Sequence, residues 1–244
     1  MGTFYYDLHV HSCLSPCGDE DNTPANIAGM ASLCELDIVA LTDHNTTKNC
    51  PAFFKAAARY GIVPVAGMEL TTSEEIHAVC LFKDLEDALA FDEYIGKKRI
   101  LIKNRPEIFG EQKILTENDE HIGTDEHLLT VATAISIEEL PKLVEKYSGV
   151  CYPAHIDRSS YGIVAVLGTV PKSPYFSAVE FSSDEVIEEY RQKYDIGDKI
   201  TVRSSDAHTL GDIRDRKYSF ELSADKSSPS EVREALINHL RGKK

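Results

Sequence analysis

The sequence predicts an α/β protein, because strand-like and helix-like segments alternate along its first third in the order β-α-β-α-β. Consecutive parallel strands need a long crossover connection, and the helix-like segments supply it. The chain has 244 residues, of which 42% are hydrophobic and 27% are charged, a composition typical of globular proteins. One α/β barrel of this length would be ordinary, and two small domains would also fit.

The first five elements are strands at residues 5–10, 37–42 and 62–69, and helices at residues 24–35 and 51–60. Pro24 suits the first turn of a helix, because its fixed backbone angle is already helical. Gly61 ends the second helix, since glycine adopts the left-handed conformation found after a C-cap. The second strand, DIVALT, is a continuous apolar run, so we expect it to be buried on both faces.

A fourth strand at residues 76–82 follows a link of only six residues, 70–75. This link is too short for a helical crossover, so we expect the fourth strand to run antiparallel to the third. A tight hairpin would place His77, at the start of its strand, beside Glu69, at the end of the previous one.

The segment at about 84–135 is predicted to be an insertion in a single domain that covers residues 1–244. Residues 84–103 have a helical pattern, and residues 105–133 are polar and rich in turn residues, which indicates a loop or small hairpin. The later strands are predicted at residues 149–154, 177–181, 200–205 and 217–222. The later helices are predicted at residues 136–147, 184–194 and 229–240.

The net charge of −14 disfavours binding to long nucleic acids, although bound cations would neutralise several carboxylates and leave small anionic substrates possible. No apolar run is long enough to span a bilayer, and the N-terminus lacks the features of a signal peptide. We therefore expect a cytoplasmic protein without membrane partners, whose six cysteines are reduced thiols. No sequence feature indicates an oligomeric state.

Histidines and acidic residues lie together at the ends of the predicted strands. Six of the nine histidines lie in five motifs: His9-Val10-His11, Thr42-Asp43-His44, Glu69 followed by His77, Pro153-Ala154-His155, and Ser205-Asp206-Ala207-His208. Side chains two residues apart on a strand point to the same face, so both members of His-x-His can reach one ion. Imidazoles and carboxylates are preferred ligands of Zn, Mn and Fe. The pattern predicts a multinuclear metal site and hydrolysis; the alternative is a set of separate, locally hydrogen-bonded polar residues.

The motifs DLHVHS, LTDHNT, GMEL with EIH, PAHIDR and SSDAH resemble, in this order, those of the PHP (polymerase and histidinol phosphatase) family of metal-dependent phosphoesterases. The resemblance extends from about Asp7 to His208. It implies a distorted (β/α)7 TIM-like barrel with a trinuclear metal site at the C-terminal ends of the strands, where barrel active sites generally lie.

The resemblance also implies a ligand set for two or three divalent ions of Zn, Mn or Fe. The first metal would bind His9, His11, Glu69 and Asp206; the second would share Glu69 and bind His77 and His155; the third would bind Asp19, His44 and His208. Asp19 keeps the family's distance to Pro24, and Asp21 competes for the same role. If neither binds, the site holds two metals.

These features predict a hydrolase that acts on a small phosphomonoester, such as a nucleotide or a sugar or amino-alcohol phosphate. Glu69 and Asp206 would hold the metals and the hydroxide that bridges them. Arg158, three residues after His155, is the candidate for binding the phosphate, with a salt bridge to a neighbouring acid as its alternative role. Asp43 is expected to orient a ligand histidine.

Three other functions are consistent with parts of the sequence. An exonuclease or phosphodiesterase would act on short oligonucleotides, because the acidity of the chain argues against long ones. An amidohydrolase would share the His-x-His motif, but there a carboxylated Lys often bridges the metals, and here no Lys ends a strand while Glu69 does. A metal-binding regulatory protein with a degenerate site is disfavoured by the complete ligand set.

Overall fold

Ten strands and eight helices make up the computed structural model, which describes residues 1–243. The strands are β1 (Gly2–Val10), β2 (Ile38–Leu41), β3 (Val63–Thr71), β4 (His77–Phe82), β5 (Lys113–Leu115), β6 (His121–Thr124), β7 (Gly149–Pro153), β8 (Ala178–Phe181), β9 (Ile200–Arg203) and β10 (Ser219–Leu222). The helices are α1 (Pro24–Leu33), α2 (Cys50–Ala58), α3 (Leu85–Gly96), α4 (Pro106–Phe109), α5 (Leu140–Glu145), α6 (Ile163–Leu167), α7 (Ile187–Lys193) and α8 (Pro229–Leu240). Among these helices, none is long and apolar enough to cross a membrane.

The central sheet has six strands in the order β10-β1-β2-β3-β4-β7. Strands β1, β2 and β3 are parallel, whereas β4 is antiparallel to both β3 and β7, and β10 is antiparallel to β1. The predicted hairpin between the third and fourth strands is confirmed, with Thr71 paired to His77. Its short link has no room for a helix, so the chain reverses directly.

Strands β8 and β9 form a separate parallel pair next to the curled sheet. The Ile156 amide after β7 donates to the Glu180 carbonyl of β8, at 2.9 Å, and a bridge joins Val10 to Ala207 beyond β9. The mixed α/β class is therefore confirmed, as a curled half-barrel sheet. This sheet consists of a six-stranded ladder and the two-stranded ladder of β8 and β9. The exact (β/α)7 count stays a prediction.

Apolar side chains fill both faces of the central sheet. In β2, Val39 and Leu41 belong to the cluster beneath the helices, and Ile38 and Ala40 belong to a second cluster on the other face. This arrangement explains the uninterrupted apolar run of that strand. The second cluster includes Leu236 and other apolar residues of α8, which covers the sheet from that side.

The segment at 84–135 contains α3, α4 and the β5–β6 hairpin. Helix α3 ends at Gly96 instead of residue 103, because the following chain pairs in extended form with residues 127–133. The carboxylate of Asp125 joins two parts of this segment to each other and to the loop after β2. Arg99 donates two hydrogen bonds to it, at 2.8 and 2.9 Å, and Lys48 from the loop after β2 donates a third, at 2.6 Å.

We predict that Asp125→Asn lowers the free energy of unfolding at pH 7 by about 3 kcal/mol, because it leaves the buried Arg99 without its counter-charge. Burial alone would raise the pKa of Asp125. Arg99 and Lys48 lower it by more than burial raises it, so the pKa lies well below its ordinary value. The stabilisation is thus complete above about pH 4 and decreases as the pH falls further. Urea unfolding at pH 7, 5 and 3 measures both effects.

The control is Glu126→Gln, which removes the exposed neighbouring charge. Equal losses of stability in the two variants, or a difference between wild type and Asp125→Asn that grows below pH 4, would contradict the role of this ion pair.

Candidate metal centre

Six histidines and two acids from the ends of different strands converge on one buried position. His9 lies in β1, and His11 follows that strand; Glu69 lies near the end of β3, and His77 begins β4. The remaining members follow β2, β7 and β9: His44, His155, Asp206 and His208. The antiparallel direction of β4 brings its first residue to the same edge at which its parallel neighbours end. The structure therefore brings together all the predicted site histidines with Glu69 and Asp206.

The first cluster of donor atoms is formed by His9, His11, Glu69 and Asp206. The Nε2 atoms of His9 and His11 lie 3.1 Å apart, and each lies 3.4 Å from an oxygen of Glu69. Asp206 Oδ1 lies 3.3 Å from His9 Nε2 and 3.1 Å from His11 Nε2. Four ligands at about 2.0–2.1 Å from a tetrahedral ion are about 3.3 Å from one another. The donor spacing therefore fits a divalent cation.

Glu69 contacts five histidines through its two oxygens. Oε1 lies 2.9 Å from His77 Nδ1 and 3.0 Å from His155 Nε2. Oε2 lies 3.1 Å from His44 Nδ1. Two further clusters with donor atoms within 4.8 Å of one another are His44, Glu69 and His77, and His11, His44 and His208. A carboxylate in this position can be shared by two cations.

Three buried atoms of site residues lack a properly oriented hydrogen bond among the residues described: His44 Nδ1, His155 Nδ1 and Asp206 Oδ1. Buried polar atoms without partners are costly, and nearly all find one in folded proteins. Two of them, His44 Nδ1 and Asp206 Oδ1, point at neighbouring donor atoms of the site. A bound cation would satisfy them, which agrees with the donor spacing.

The charges of the site are also suited to a cation. Burial raises the pKa of Glu69, but His77, His9 and His44 lower it to well below its ordinary value, so the carboxylate is ionised. Burial lowers the pKa of His44 well below its ordinary value and keeps that ring neutral, as a metal ligand must be. Although burial opposes it, the nearby carboxylates of Asp206 and Glu69 raise the pKa of His11 to about 9. A cation would therefore displace a proton from His11.

Glu180 of β8 orients His9 and was not predicted from the sequence. Its carboxylate is buried and lies 3.0 and 3.2 Å from His9 Nδ1, which directs Nε2 into the site. The signal for this role is one acidic residue in the middle of the apolar strand AVEF. A buried carboxylate needs a partner, so its position was informative.

Asp43 is joined to His11 through the hydroxyl of Ser15. Ser15 Oγ donates to Asp43 Oδ1 at 2.7 Å and lies 3.0 Å from His11 Nδ1. Asp43 also accepts hydrogen bonds from the amide and hydroxyl of Ser12. This network holds the loop after β1 and leaves Nε2 of His11 facing the site.

Asp19 and Asp21 are exposed, and neither belongs to a donor cluster among the described residues. The Asp19 amide donates to the His208 carbonyl at 2.8 Å, so its backbone lies beside the site. Its carboxylate instead accepts from the Asp21 amide at 2.9 Å. The third cluster therefore contains His11 where the resemblance implied Asp19.

Arg158 lies above the site in a cavity of about 240 Å³. Its Nη1 is 2.5 Å from Asp206 Oδ2, and its Nε donates to Ser182 Oγ at 3.1 Å. Tyr161, also in the cavity wall, stacks on His77 with ring centroids 4.4 Å apart. The structure thus places Arg158 at the cavity and gives it an acidic partner as well.

Comparison with known proteins identifies the family of this fold and site. The PHP domain model matches residues 7–196 of the chain. The chain belongs to the PHP family. This membership agrees with the resemblance of the sequence motifs to those of metal-dependent phosphoesterases. Its cluster of histidines and acids supplies the donors that such an enzyme needs.

Individual relatives of this PHP protein are distant. The uncharacterized protein MJ1587 of Methanocaldococcus jannaschii is 33% identical over 100 residues, which are 37% of this chain and 58% of that protein. The lesion-specific endonuclease Q of Pyrococcus furiosus has a TM-score of 0.63 and 15% identity, over 99% of this chain and 56% of the endonuclease. A Bifidobacterium adolescentis protein proposed to be a metal-dependent phosphoesterase has a TM-score of 0.50 and 17% identity, over 95% of both chains.

This PHP chain spans a little over half the length of both MJ1587 and the endonuclease. At 15–17% identity, the two solved structures support the fold alone.

We predict that Glu180→Gln weakens Zn²⁺ binding to the PHP site by about 10- to 100-fold, because the amide loses the charge that orients His9 and makes it a better donor. Titration against a competing chromophoric chelator measures the affinity. Glu185→Gln, an exposed residue four positions beyond the same strand, is the control and should retain wild-type affinity. An affinity of Glu180→Gln within threefold of wild type would show that Glu180 does not support the metal centre.

Proposed function

We propose that this site binds two or three divalent cations of Zn, Mn or Fe and hydrolyses a small phosphomonoester, such as a nucleotide or a sugar or amino-alcohol phosphate. The observation that carries this proposal is the set of donor atoms 3.1–3.4 Å apart around Glu69 and Asp206, beneath a cavity that contains an arginine.

The residues fall into sets that would each hold one ion. His9, His11, Glu69 and Asp206 would hold the first, and Glu69 would be shared with a second ion beside His77, His155 or His44. His208 and His44 would hold a third, together with His11 or, after a rearrangement of its loop, Asp19. Bound cations would supply Lewis acidity, which lowers the pKa of water and neutralises charge on the phosphoryl oxygens.

The protein's own groups would orient the donor atoms of this site. Glu180 and the Asp43–Ser15 pair engage the outer Nδ1 atoms of His9 and His11, so both rings present Nε2 inward. The ionised carboxylates of Glu69 and Asp206 would balance the cations. These contacts preorganise the donors, so little rearrangement would be needed during the reaction.

Arg158 is the group that we assign to the phosphate. A guanidinium carries five N–H donors, and Arg158 uses one on Asp206 and one on Ser182. The remaining donors can bind phosphoryl oxygens as a fixed fork. The contact with Asp206 would therefore hold the arginine beside the reacting group.

The size of the cavity supports a small substrate. Its volume of about 240 Å³ lies below the roughly 300–1,000 Å³ of typical ligand pockets. Such a space suits a phosphate and part of a small leaving group. The net charge of −14 adds repulsion against a long polyanion.

A second candidate function is hydrolysis of phosphodiesters in short oligonucleotides. Tyr161 favours it, because this aromatic ring is about half exposed at the cavity edge and could stack against a base. The similarity to endonuclease Q, whose solved complex contains a DNA duplex with an abasic lesion, points in the same direction. Neither observation requires a long polymer.

A panel of substrates tests the proposal. We expect protein loaded with Mn²⁺ or Zn²⁺ to release inorganic phosphate from nucleoside monophosphates, sugar phosphates or histidinol phosphate, and a chelator to abolish the release. Asp206→Asn should lower kcat/KM at least about 100-fold with retained circular dichroism, whereas His121→Ala, at an exposed histidine, should not.

The same panel separates the alternatives. Faster turnover of bis(p-nitrophenyl) phosphate and 5′-phosphorylated oligonucleotides than of monoesters would favour the phosphodiesterase. Metal binding without turnover of either class would favour a regulatory protein and contradict the enzyme.

We predict that Arg158→Ala lowers kcat/KM by about 10- to 100-fold, which corresponds to the loss of one charge-assisted contact with the phosphate. Arg158→Lys should restore part of the loss, because lysine provides the charge but not the fork. Steady-state kinetics and Zn²⁺ titration are measured together, with Arg214→Ala at an exposed arginine as the control. Weakened metal binding with unchanged KM would mean that Arg158 serves only to position Asp206.

A further inference from the structure

Two of the six cysteines lie directly opposite each other on neighbouring strands. Cys80 of β4 and Cys151 of β7 are register partners in the antiparallel ladder. Opposite residues of such a ladder point to the same face, and both cysteines belong to the apolar cluster beneath the helices. Both are free thiols, buried from bulk solvent.

The hydrogen-bond pattern shows which kind of pair this is. The Ala154 amide donates to the His77 carbonyl at 3.0 Å, so His77 and Ala154 form a hydrogen-bonded pair. Hydrogen-bonded and non-hydrogen-bonded pairs alternate along an antiparallel ladder. Counting three positions along the register, Cys80 and Cys151 form a non-hydrogen-bonded pair.

This pair type has the separation that a disulfide needs. Cα atoms of non-hydrogen-bonded partners are about 4.5 Å apart, with their side chains close. Disulfides span Cα distances of about 4.4–6.8 Å. The Cys151 thiol also contacts Cys80. Burial raises the pKa of Cys80 well above its ordinary value, and the contact with Cys151 raises it further.

A second cavity lies beside Cys151, on the side of the pair away from the metal centre. It has a volume of about 420 Å³ and is lined by Gly149, Val150 and Cys151, at the start of β7, whereas His155 follows the end of that strand. Three cationic side chains, Lys142, Arg241 and Lys243, also line it, against two acids, Glu138 and Glu145. In a chain with a net charge of −14, this cavity is a local site of positive charge.

We propose that Cys80 and Cys151 form a disulfide by exchange with a small, carboxylate-bearing disulfide that enters this second cavity. Cys151 attacks one sulfur of the small disulfide, forming a mixed disulfide and releasing one thiol. Cys80 then attacks the Cys151 sulfur, its proton passes to the departing thiolate, and a second thiol leaves. Two protein thiols are oxidised to one disulfide while one small disulfide is reduced to two thiols.

The bond would join β4 and β7, the strands that carry or precede His77 and His155. It closes a long loop in the unfolded chain, which includes the whole segment at 84–135. Cross-links of this kind stabilise by restricting the unfolded state. We therefore expect the oxidised protein to have a Tm about 5–10 °C higher than the reduced protein.

The test uses the full chain and oxidised glutathione as the probe. We expect the number of free thiols to fall from six to four, a Cys80–Cys151 cross-linked peptide in non-reducing mass spectrometry, and reversal by dithiothreitol. Cys80→Ala should stop at a glutathione adduct on Cys151. Cys17→Ala, at the exposed cysteine, should form the cross-link as wild type does.

Electrostatic access is tested separately. Lys142→Glu should slow the reaction with anionic oxidised glutathione at least about twofold relative to neutral bis(2-hydroxyethyl) disulfide, whereas Lys98→Glu should not. A folded wild type that keeps six thiols, or that forms only adducts or a different cross-link, would overturn the proposal. Because these measurements use neither a phosphate substrate nor a metal, their failure is distinct from failure of the proposed phosphoesterase.

Discussion

The carboxylate of Glu69 is the group on which the organisation of the site depends. It is buried and lies within 3.4 Å of five histidine rings that reach it from β1, β4 and the loops after β1, β2 and β7. A buried carboxylate in this position is stable only when opposite charge surrounds it. The strand ends are therefore joined by the electrostatics of one residue as well as by the sheet.

Much of the site could be predicted because its residues are marked locally in the sequence. A histidine or acid near the end of an apolar strand is recognisable without tertiary contacts, and every site histidine lies within a few residues of a strand end. The hairpin between β3 and β4 could equally be predicted, since a link of six residues cannot form a helical crossover. Local rules were sufficient wherever chain length or strand polarity determined the geometry.

The parts that were missed depend on contacts between distant segments. Glu180 contacts a histidine 171 residues away, and its role became visible only when the fold brought its carboxylate within hydrogen-bond distance of His9. The orientation of Asp19 depends on a turn in which its carboxylate bonds a neighbouring amide instead of facing the site. Strands β8 and β9 form a ladder of their own, and sequence patterns do not show where a ladder breaks.

The spread of the donor set along the chain has a consequence for assembly. Glu69 and His77 are eight residues apart in one hairpin, so this half of the site can form early and locally. The half around His9 requires segments far apart in the chain, because Glu180 and Asp206 reach it from β8 and from the loop after β9. Tight binding of the first ion would therefore come late in folding. A bound ion would then stabilise only those molecules in which both halves of the site have assembled.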